Sequence, residues 1–230
     1  MSLFSLFPWW GWRLAVAEQP AATQGSATVD ERSTTTPKEP NVVLVAGSSA
    51  AYTHIYHNVD ELIASDQTEL IIQGRVVAYR DVLLYNEKAF RVLEVEVQQS
   101  FKGKSASKVY VYDEGGIIPL KDALPVVGAH IDLSTLSEQQ LADSVVDFRP
   151  EAGEHLKVGD NVVMFLYRNT NKVPEEVSYM LVMSAYARYT LDPATGEYVR
   201  PDFGVTTGGV FETRVSAREM EAKLAPELVR

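Results

Sequence analysis

Two histidines close to two acids form the first group of residues in the sequence that could do chemistry. His54 and His57 lie three positions apart, just before Asp60 and Glu61. Residues at i and i+3 share one face of a helix, so two imidazoles and a carboxylate there could bind zinc or copper. The spacing lacks the HExxH pattern and specifies no third ligand. The sequence therefore favours the start of a solvated helix with both acids in its first turn. A metal site at His54 and His57 is the alternative.

Tyrosines and arginines on predicted strands form the second group. Tyrosine rings and guanidinium groups stack on sugars, peptides or bases, so a set of them on one open sheet face would form a binding surface. Tyrosine also packs well at half-buried strand positions, so a structural role is the competing interpretation. The candidate binding residues are Arg75, Tyr79, Tyr110, Tyr112 and Arg188.

The remaining polar motifs predict structure rather than catalysis. Asp113 and Glu114 precede a Gly-Gly pair, which is typical of a turn with positive φ. Glu94 and Glu96 alternate with apolar residues, so both face outward from one strand, and nothing places them across a cleft. The chain contains no cysteine, which excludes disulfides, thiolate metal sites and a cysteine nucleophile. We therefore predict a protein that is not an enzyme and that needs no cofactor.

Length and charge narrow the class of protein. The 230 residues suffice for one sizeable core with tails. Hydrophobic residues make up 46% of the chain and charged residues 23%, as in soluble globular proteins, which excludes a wholly disordered or collagen-like chain. The net charge of −10 repels phosphate backbones and so disfavours nucleic acid as a partner.

The N-terminal region divides into an apolar leader and a polar linker. Residues 1–17 are apolar and aromatic, and they include Trp9, Trp10 and Trp12. They end in a small-x-small sequence of the kind that signal peptidases cleave, although no basic segment precedes the apolar run. The leader is therefore a signal peptide, a tryptophan-rich segment that rests on a membrane, or a tail packed on its own domain. Residues 18–41 are polar and aperiodic and predict a flexible linker.

The rest of the chain, residues 42–230, has the pattern of one β-dominated domain. Apolar and polar residues alternate over 69–79, 91–99 and 108–112, and this period of two predicts three strands. Gly74, inside the first of them, predicts a bulge or a close approach of two backbones.

Helices are predicted at three places. Residues 59–65 have helical spacing before the first long strand, and Asn58 can cap the start of this helix. The insertion at 117–155 interrupts the rhythm of strands, and capping-box sequences at 135–138 and 216–219 predict a helix inside it and another at the C-terminus. The elements together predict a β-dominated α+β fold. Its centre is a small antiparallel OB-like barrel with a short N-terminal helix, an inserted helical segment and a C-terminal helix.

Four motifs follow the first helix in a fixed order. They are ELIIQGRVVAYRD, QSFKGK, KVYVYDEGG and LKVGDNVVMFLYR. This order resembles that of netrin and TIMP-like domains, which are OB-fold barrels, and still more that of uncharacterised exported Gram-positive proteins with that domain. The resemblance covers roughly residues 58–192. TIMP proteins chelate zinc through an N-terminal cysteine, and netrin-type domains carry disulfides, so a chain without cysteine departs from both. The resemblance thus implies a fold and an extracytoplasmic location, and no activity.

These observations predict a non-enzymatic, extracytoplasmic binding or interaction module. Its partner would be a protein or a cell-envelope polymer, contacted by the barrel face or by the 117–155 insertion. Peripheral membrane association would involve Trp9, Trp10 and Trp12. The alternatives are an inhibitor of an extracellular peptidase and an OB-fold binder of nucleic acid or oligosaccharide.

Overall fold

The computed structural model describes residues 12–15, 41–48, 54–83, 89–150, 153–170, 178–202 and 210–229. Within these ranges the chain forms twelve strands and four α-helices. The strands are β1 Trp12–Ala15, β2 Asn41–Ser48, β3 Leu70–Leu83, β4 Ala89–Lys102, β5 Lys108–Glu114, β6 Gly116–Pro119, β7 Ser144–Arg149, β8 Asn161–Arg168, β9 Tyr179–Ala185, β10 Arg188–Asp192, β11 Glu197–Val199 and β12 Arg214–Ser216. The α-helices are α1 Val59–Ala64, α2 Leu120–Val127, α3 Glu138–Asp143 and α4 Ala217–Leu224. The 3₁₀ segments are Gly128–His130, Leu133–Thr135 and Ala225–Val229.

Five strands close into a barrel. Their order around it is β3, β4, β5, β9 and β8, and β8 pairs again with β3. The β5–β9 pair is parallel and the other four pairs are antiparallel. Strands β10, β11 and β12 extend the sheet outward from β8. The structure confirms the predicted β-dominated α+β fold with a small closed barrel. The predicted antiparallel pairing holds for four of the five strand pairs, whereas the fifth, β5–β9, is parallel.

A second, four-stranded sheet has the order β1-β2-β7-β6. Strands β6 and β7 come from the 117–155 insertion, which therefore contains strands as well as the predicted helices. These strands form because apolar side chains on both of them pack with α2 in a separate core. Its buried members include Leu44, Ile118, Leu120, Val146 and Phe148.

The first and last helices begin at the predicted positions. Asn58 Oδ1 accepts a hydrogen bond from the Glu61 amide at 2.9 Å at the start of α1. Ser216 Oγ accepts one from the Glu219 amide at 3.2 Å at the start of α4. Such caps satisfy backbone donors that have no partner inside the helix. Apolar residues of both helices then join the barrel core, so the polar sequence at each cap fixes where a buried helix starts.

The helix in the insertion begins two residues later than its predicted cap. Ser137 and Gln140 form the capping box, with mutual side-chain to backbone hydrogen bonds of 3.3 and 2.9 Å. Thr135 is unavailable for this role because it ends a 3₁₀ turn and its hydroxyl donates to the Asp132 carbonyl at 2.8 Å. The prediction of a capping box at 135–138 is therefore wrong, because Thr135 belongs to a 3₁₀ turn that the sequence did not indicate.

Gly74 lies where β3 bulges against β4. The pairing register shifts between Gln73 and Gly74. A Cβ atom at residue 74 would lie 2.6 Å from the Glu96 carbonyl oxygen, well inside normal van der Waals contact. The predicted bulge and close backbone approach are both confirmed, and only glycine fits this position without a shift of the backbone.

Most of the predicted leader and linker lies outside the described residues. Of residues 1–17, the structure describes the backbone of Trp12–Ala15, which pairs with β2. Residues 18–40 of the predicted linker, together with Trp9 and Trp10, lie outside the described ranges. Cleavage of the leader and its contact with a membrane stay predictions.

Candidate binding surfaces

An open groove crosses the outer face of β3, β4 and β5. Glu94 and Tyr110 alternate along their strands with buried core residues, so the period of two turns them outward. The strand register places Ala78, Glu94 and Tyr110 side by side in one row across the three strands. The groove has a volume of about 490 Å³. It is lined by Ala78, Tyr79, Arg80, Val92, Glu94 and Tyr110.

Tyr110 gives this groove its aromatic ring, and Tyr79 also belongs to its lining. The register places Tyr79 opposite the core residue Leu93, so its ring points to the other face of the sheet. The exposed fractions of Tyr79 and Tyr110 are 45% and 39%. The Tyr79 ring lies over the guanidinium of buried Arg91, with 3.9 Å between the guanidinium carbon and the ring centroid. This cation–π contact fixes the orientation of the ring while much of it stays in contact with solvent. Tyr79 and Tyr110 are therefore both exposed, but their rings lie on opposite faces of the sheet.

Charged groups of both signs lie on the same face as the Tyr110 ring. Glu94 pairs with Lys108 at 2.6 Å on the exposed side of β4 and β5. The hydrogen bond from Lys108 to Glu94, together with the charge of that carboxylate, raises the pKa of Lys108. Arg80 lies in the next row of the same face. The groove thus places one carboxylate and one guanidinium group beside an aromatic ring.

Tyr112 and Arg75 lie outside the lining of this groove. The Tyr112 ring stacks on Phe90, with 4.8 Å between the centroids and 17° between the planes. Burial, followed by the charges of Glu114 and Asp113, strongly raises the pKa of Tyr112. Arg75 is exposed on β3, opposite Glu96. Tyr112 is therefore a packing residue, which is the competing interpretation made from the sequence.

Arg188 lies inside one end of the barrel instead of on its surface. Only 2% of this residue is exposed. Its guanidinium pairs with the buried Asp113 carboxylate and donates to the Glu154 carbonyl at 2.7 Å. The sequence could not indicate this because the two members of the pair are far apart in the chain. The contacts already made by this guanidinium give Arg188 a structural role.

A second buried arginine completes this barrel end. Arg91 donates to both Asp81 carboxylate oxygens at 2.6 and 3.0 Å and to the Leu156 carbonyl at 2.8 Å. Bidentate arginine–carboxylate pairs are among the strongest hydrogen-bonded contacts in proteins. Arg91 and Arg188 together hold two carbonyls of the segment 153–157, which lies across the barrel end.

His155 connects that segment to the second sheet. Its Nε2 lies 2.9 Å from Asp147 Oδ1 on β7, and Arg149 Nε lies 2.9 Å from the other oxygen of that carboxylate. Burial opposes ionisation of Asp147, but the hydrogen bonds from His155 and Arg149 outweigh it and lower the pKa of Asp147. Among the described residues, His155 Nδ1 is buried without a hydrogen-bond partner.

The cleft beside His155 is smaller than the groove, at about 300 Å³. Tyr79 and Arg91 form part of its wall, and Arg149 and Lys157 lie at its edge. Tyr79 therefore borders both the groove and this cleft. The polar groups in this cleft are mostly bound to one another, which distinguishes it from the groove.

The two predicted metal ligands occupy the segment before α1. His57 Nδ1 lies 3.2 Å from Glu61 Oε2, as expected for a residue beside a helix start. His54 is exposed, and its ring lies 5.2 Å from that of Tyr56. No cluster of three or more metal-ligating side chains occurs in the part of the chain that the structure describes.

Sequence reasoning missed the polar and aliphatic part of the groove. The period of two already turned Glu94 outward, but Arg80 and Val92 were not singled out. The row that joins Glu94 to Tyr110 depends on the register between β4 and β5. Register follows from tertiary packing and turn geometry, so a list of strands does not supply it.

Comparisons with known proteins give no further identification. No protein-family model, characterised protein or solved structure matches the chain. In the described segments, every helix is too short or too polar to cross a membrane.

Proposed function

We propose that this chain is a non-enzymatic binding module that contacts a sugar-containing envelope polymer outside the cytoplasm. One observation carries the proposal: Tyr110 exposes its ring at a groove that also holds Arg80 and Glu94. Aromatic rings pack on the apolar faces of sugar rings, while carboxylate and guanidinium groups bind hydroxyls. The groove combines both kinds of group on one rigid sheet.

The strand order of the barrel supports the choice of this face. The order β3-β4-β5-β9-β8 is the one expected of an OB-fold, whose ligands bind on the face of its second and third strands. Those strands are β4 and β5 here, and the groove lies on them. The resemblance to netrin and TIMP-like domains also implies an exported protein, and we include that location in the proposal.

Charge and the His155 geometry support a binding role over the alternatives. A net charge of −10 opposes a nucleic-acid backbone. The pair of His155 and Asp147 would need a nucleophile at the free ring nitrogen to work as a catalytic dyad. That nitrogen is buried and has no partner among the described residues. The pair thus fits a structural link better than a catalytic one.

Co-sedimentation with insoluble envelope polymer from the source organism tests the proposed function. The wild-type chain is expected to sediment with the polymer, and soluble oligosaccharides released from it should compete. The variant Tyr110→Ala should weaken this binding at least about fivefold, since stacking on an aromatic ring contributes roughly 1–3 kcal/mol. Arg75→Ala is the matched control, because it changes an exposed residue of the same sheet outside the groove. Equal sedimentation of all three proteins would contradict the proposal.

The proposed location has its own test. Intact-mass measurement of the native protein from fractionated cells should give a species that starts at Glu18 and lies outside the cytoplasm. An uncleaved chain in the cytosol would contradict export. That result would not bear on polymer binding, which the sedimentation experiment tests separately.

A further inference from the structure

One edge of strand β2 is paired with β1 along half of the length of β2. On its other edge β2 pairs in parallel with β7. The four residues of β1 pair with residues 45–48 of β2. No described residue pairs on that side with residues 41–44, although they belong to the same eight-residue strand. Val42, in this half of the strand, is exposed.

The connection between β1 and β2 makes this pairing easy to exchange. Residues 16–40 separate the two strands, whereas a hairpin has a loop of two to five residues. The entropy lost on closing a loop grows with its length, so β1 is tied to β2 less firmly than the strand of a tight hairpin. A strand of four residues also contributes few ladder hydrogen bonds.

The predicted cleavage after Ala17 would remove β1 altogether. The N–H and C=O groups of β2 that face β1 would then have no strand beside them. Unpaired groups along a strand edge are a template for pairing with another chain. Addition of an extended peptide to such an edge is a common way in which sheets bind proteins.

We propose that the outer edge of β2 is a strand-binding site, which Trp12–Ala15 fills in the full chain and an extended apolar segment of another polypeptide fills once the leader is removed. The site lies on the second sheet and is separate from the groove. It goes beyond the proposed function and rests only on the part of it that concerns cleavage of the leader.

The geometry of β1 defines the chemistry of the partner. The partner strand would run antiparallel to β2, as β1 does, with apolar residues like those of its WRLA sequence. A partner of eight residues would pair along all of β2, twice the length that β1 covers. Main-chain hydrogen bonds would provide most of its affinity, and alternate side chains its specificity.

Hydrogen exchange on purified protein tests the edge itself. Three proteins are compared: the full chain, a chain that starts at Glu18, and the full chain with Arg13→Pro and Leu14→Pro. Proline cannot donate to the ladder, so this last variant opens the edge without shortening the chain. Successive amides of a strand point to opposite sides, so alternate amides of 45–48 should exchange about tenfold faster in both altered proteins. Unchanged exchange at 45–48 in both would overturn the proposal.

Binding of a synthetic peptide tests whether another chain can occupy the outer edge of β2. The probe has the sequence of residues 9–16 behind two solubilising lysines, and its control carries the two proline substitutions. The peptide should bind the shortened chain at least about tenfold more tightly than the full chain, where β1 competes at high effective concentration. It should also restore slow exchange at 45–48. Equal binding to both chains, binding to neither, or equal binding of the proline control would overturn the proposal. None of these results depends on export or on the groove.

Discussion

The outer groove and the barrel end contain the same kinds of residue in opposite environments. At the groove, the Lys108–Glu94 pair has side chains that are 54% and 24% exposed. At the barrel end, the side chains of the Arg188–Asp113 pair are 2% and 0% exposed. An exposed pair contributes about 0–1 kcal/mol, whereas removal of one member of a buried pair destabilises a protein by about 3–5 kcal/mol. The pair at the barrel end is therefore expected to contribute more to the stability of the fold than the pair at the groove.

The aromatic residues divide in the same way. Tyr79 and Tyr110 contact solvent, while Tyr112 is stacked against Phe90. A list of tyrosines on strands does not distinguish these cases, because strand period gives the same outward direction to Tyr110 and Tyr112. The difference lies in the packing: Phe90 covers the Tyr112 ring, whereas Tyr110 is exposed.

The largest effect is expected from Asp113→Ala. It leaves the Arg188 guanidinium buried without its carboxylate, so the free energy of unfolding should fall by about 3–5 kcal/mol. Denaturation in urea measures this. The control Glu197→Ala breaks an exposed pair with Arg214 and should change stability by less than about 1 kcal/mol. Similar losses of unfolding free energy in the two variants would contradict the claim that the buried pair contributes more to stability than the exposed pair.

A variant in the barrel wall gives an intermediate effect. Gly74→Ala places a methyl group 2.6 Å from the Glu96 carbonyl oxygen, so we expect a loss of about 1–3 kcal/mol from overpacking. Gly128→Ala is the matched control, because a Cβ there meets nothing within 4 Å and its backbone is α-helical. The control should be neutral or stabilising by up to about 1 kcal/mol. The denaturation midpoints of the two variants, each compared with that of the wild type, test this prediction.

The Asp147 carboxylate should make the barrel end sensitive to acid. Its pKa is lower in the folded protein than its usual 3.8, so the stability it contributes is fully present above pH 3.8. That stability is lost as the pH falls through the lower, folded value. The gap in unfolding free energy between wild type and Asp147→Asn should therefore be constant near neutral pH and shrink below pH 3.8.

His155→Gln sharpens this prediction. Without the imidazole, Asp147 loses one of the hydrogen bonds that lower its pKa, so the carboxyl group should titrate at a higher pH. Carbon-detected NMR of the Asp147 carboxyl group gives its titration directly. A titration that does not move would show that Arg149 lowers the pKa of Asp147 without His155.

The smallest effect on stability is expected in the groove. Tyr110→Ala removes a side chain that packs little against the core, so the free energy of unfolding should change by no more than about 0.5 kcal/mol. The same variant should weaken polymer binding. A loss of stability near that of Asp113→Ala would show that Tyr110 supports the fold instead.

The sequence indicated the barrel because it depends on local patterns. Period-two alternation marks the strands, Asn58 and Ser216 mark helix starts, and Gly74 marks a bulge. The second sheet escaped prediction because β2 and β7 pair in parallel across a long stretch of chain. The Arg188–Asp113 and Arg91–Leu156 contacts escaped for the same reason. Side-chain partners brought together by topology leave no local signal.

The most direct test of the central claim is an NMR titration of isotope-labelled protein with soluble oligosaccharides released from the envelope polymer. Binding at the groove predicts chemical-shift changes clustered at residues 78–80, 92–94 and 108–110, with small changes at 147–157. Changes clustered around His155 and Asp147, or no changes at saturating oligosaccharide, would contradict the assignment of the groove as the binding surface.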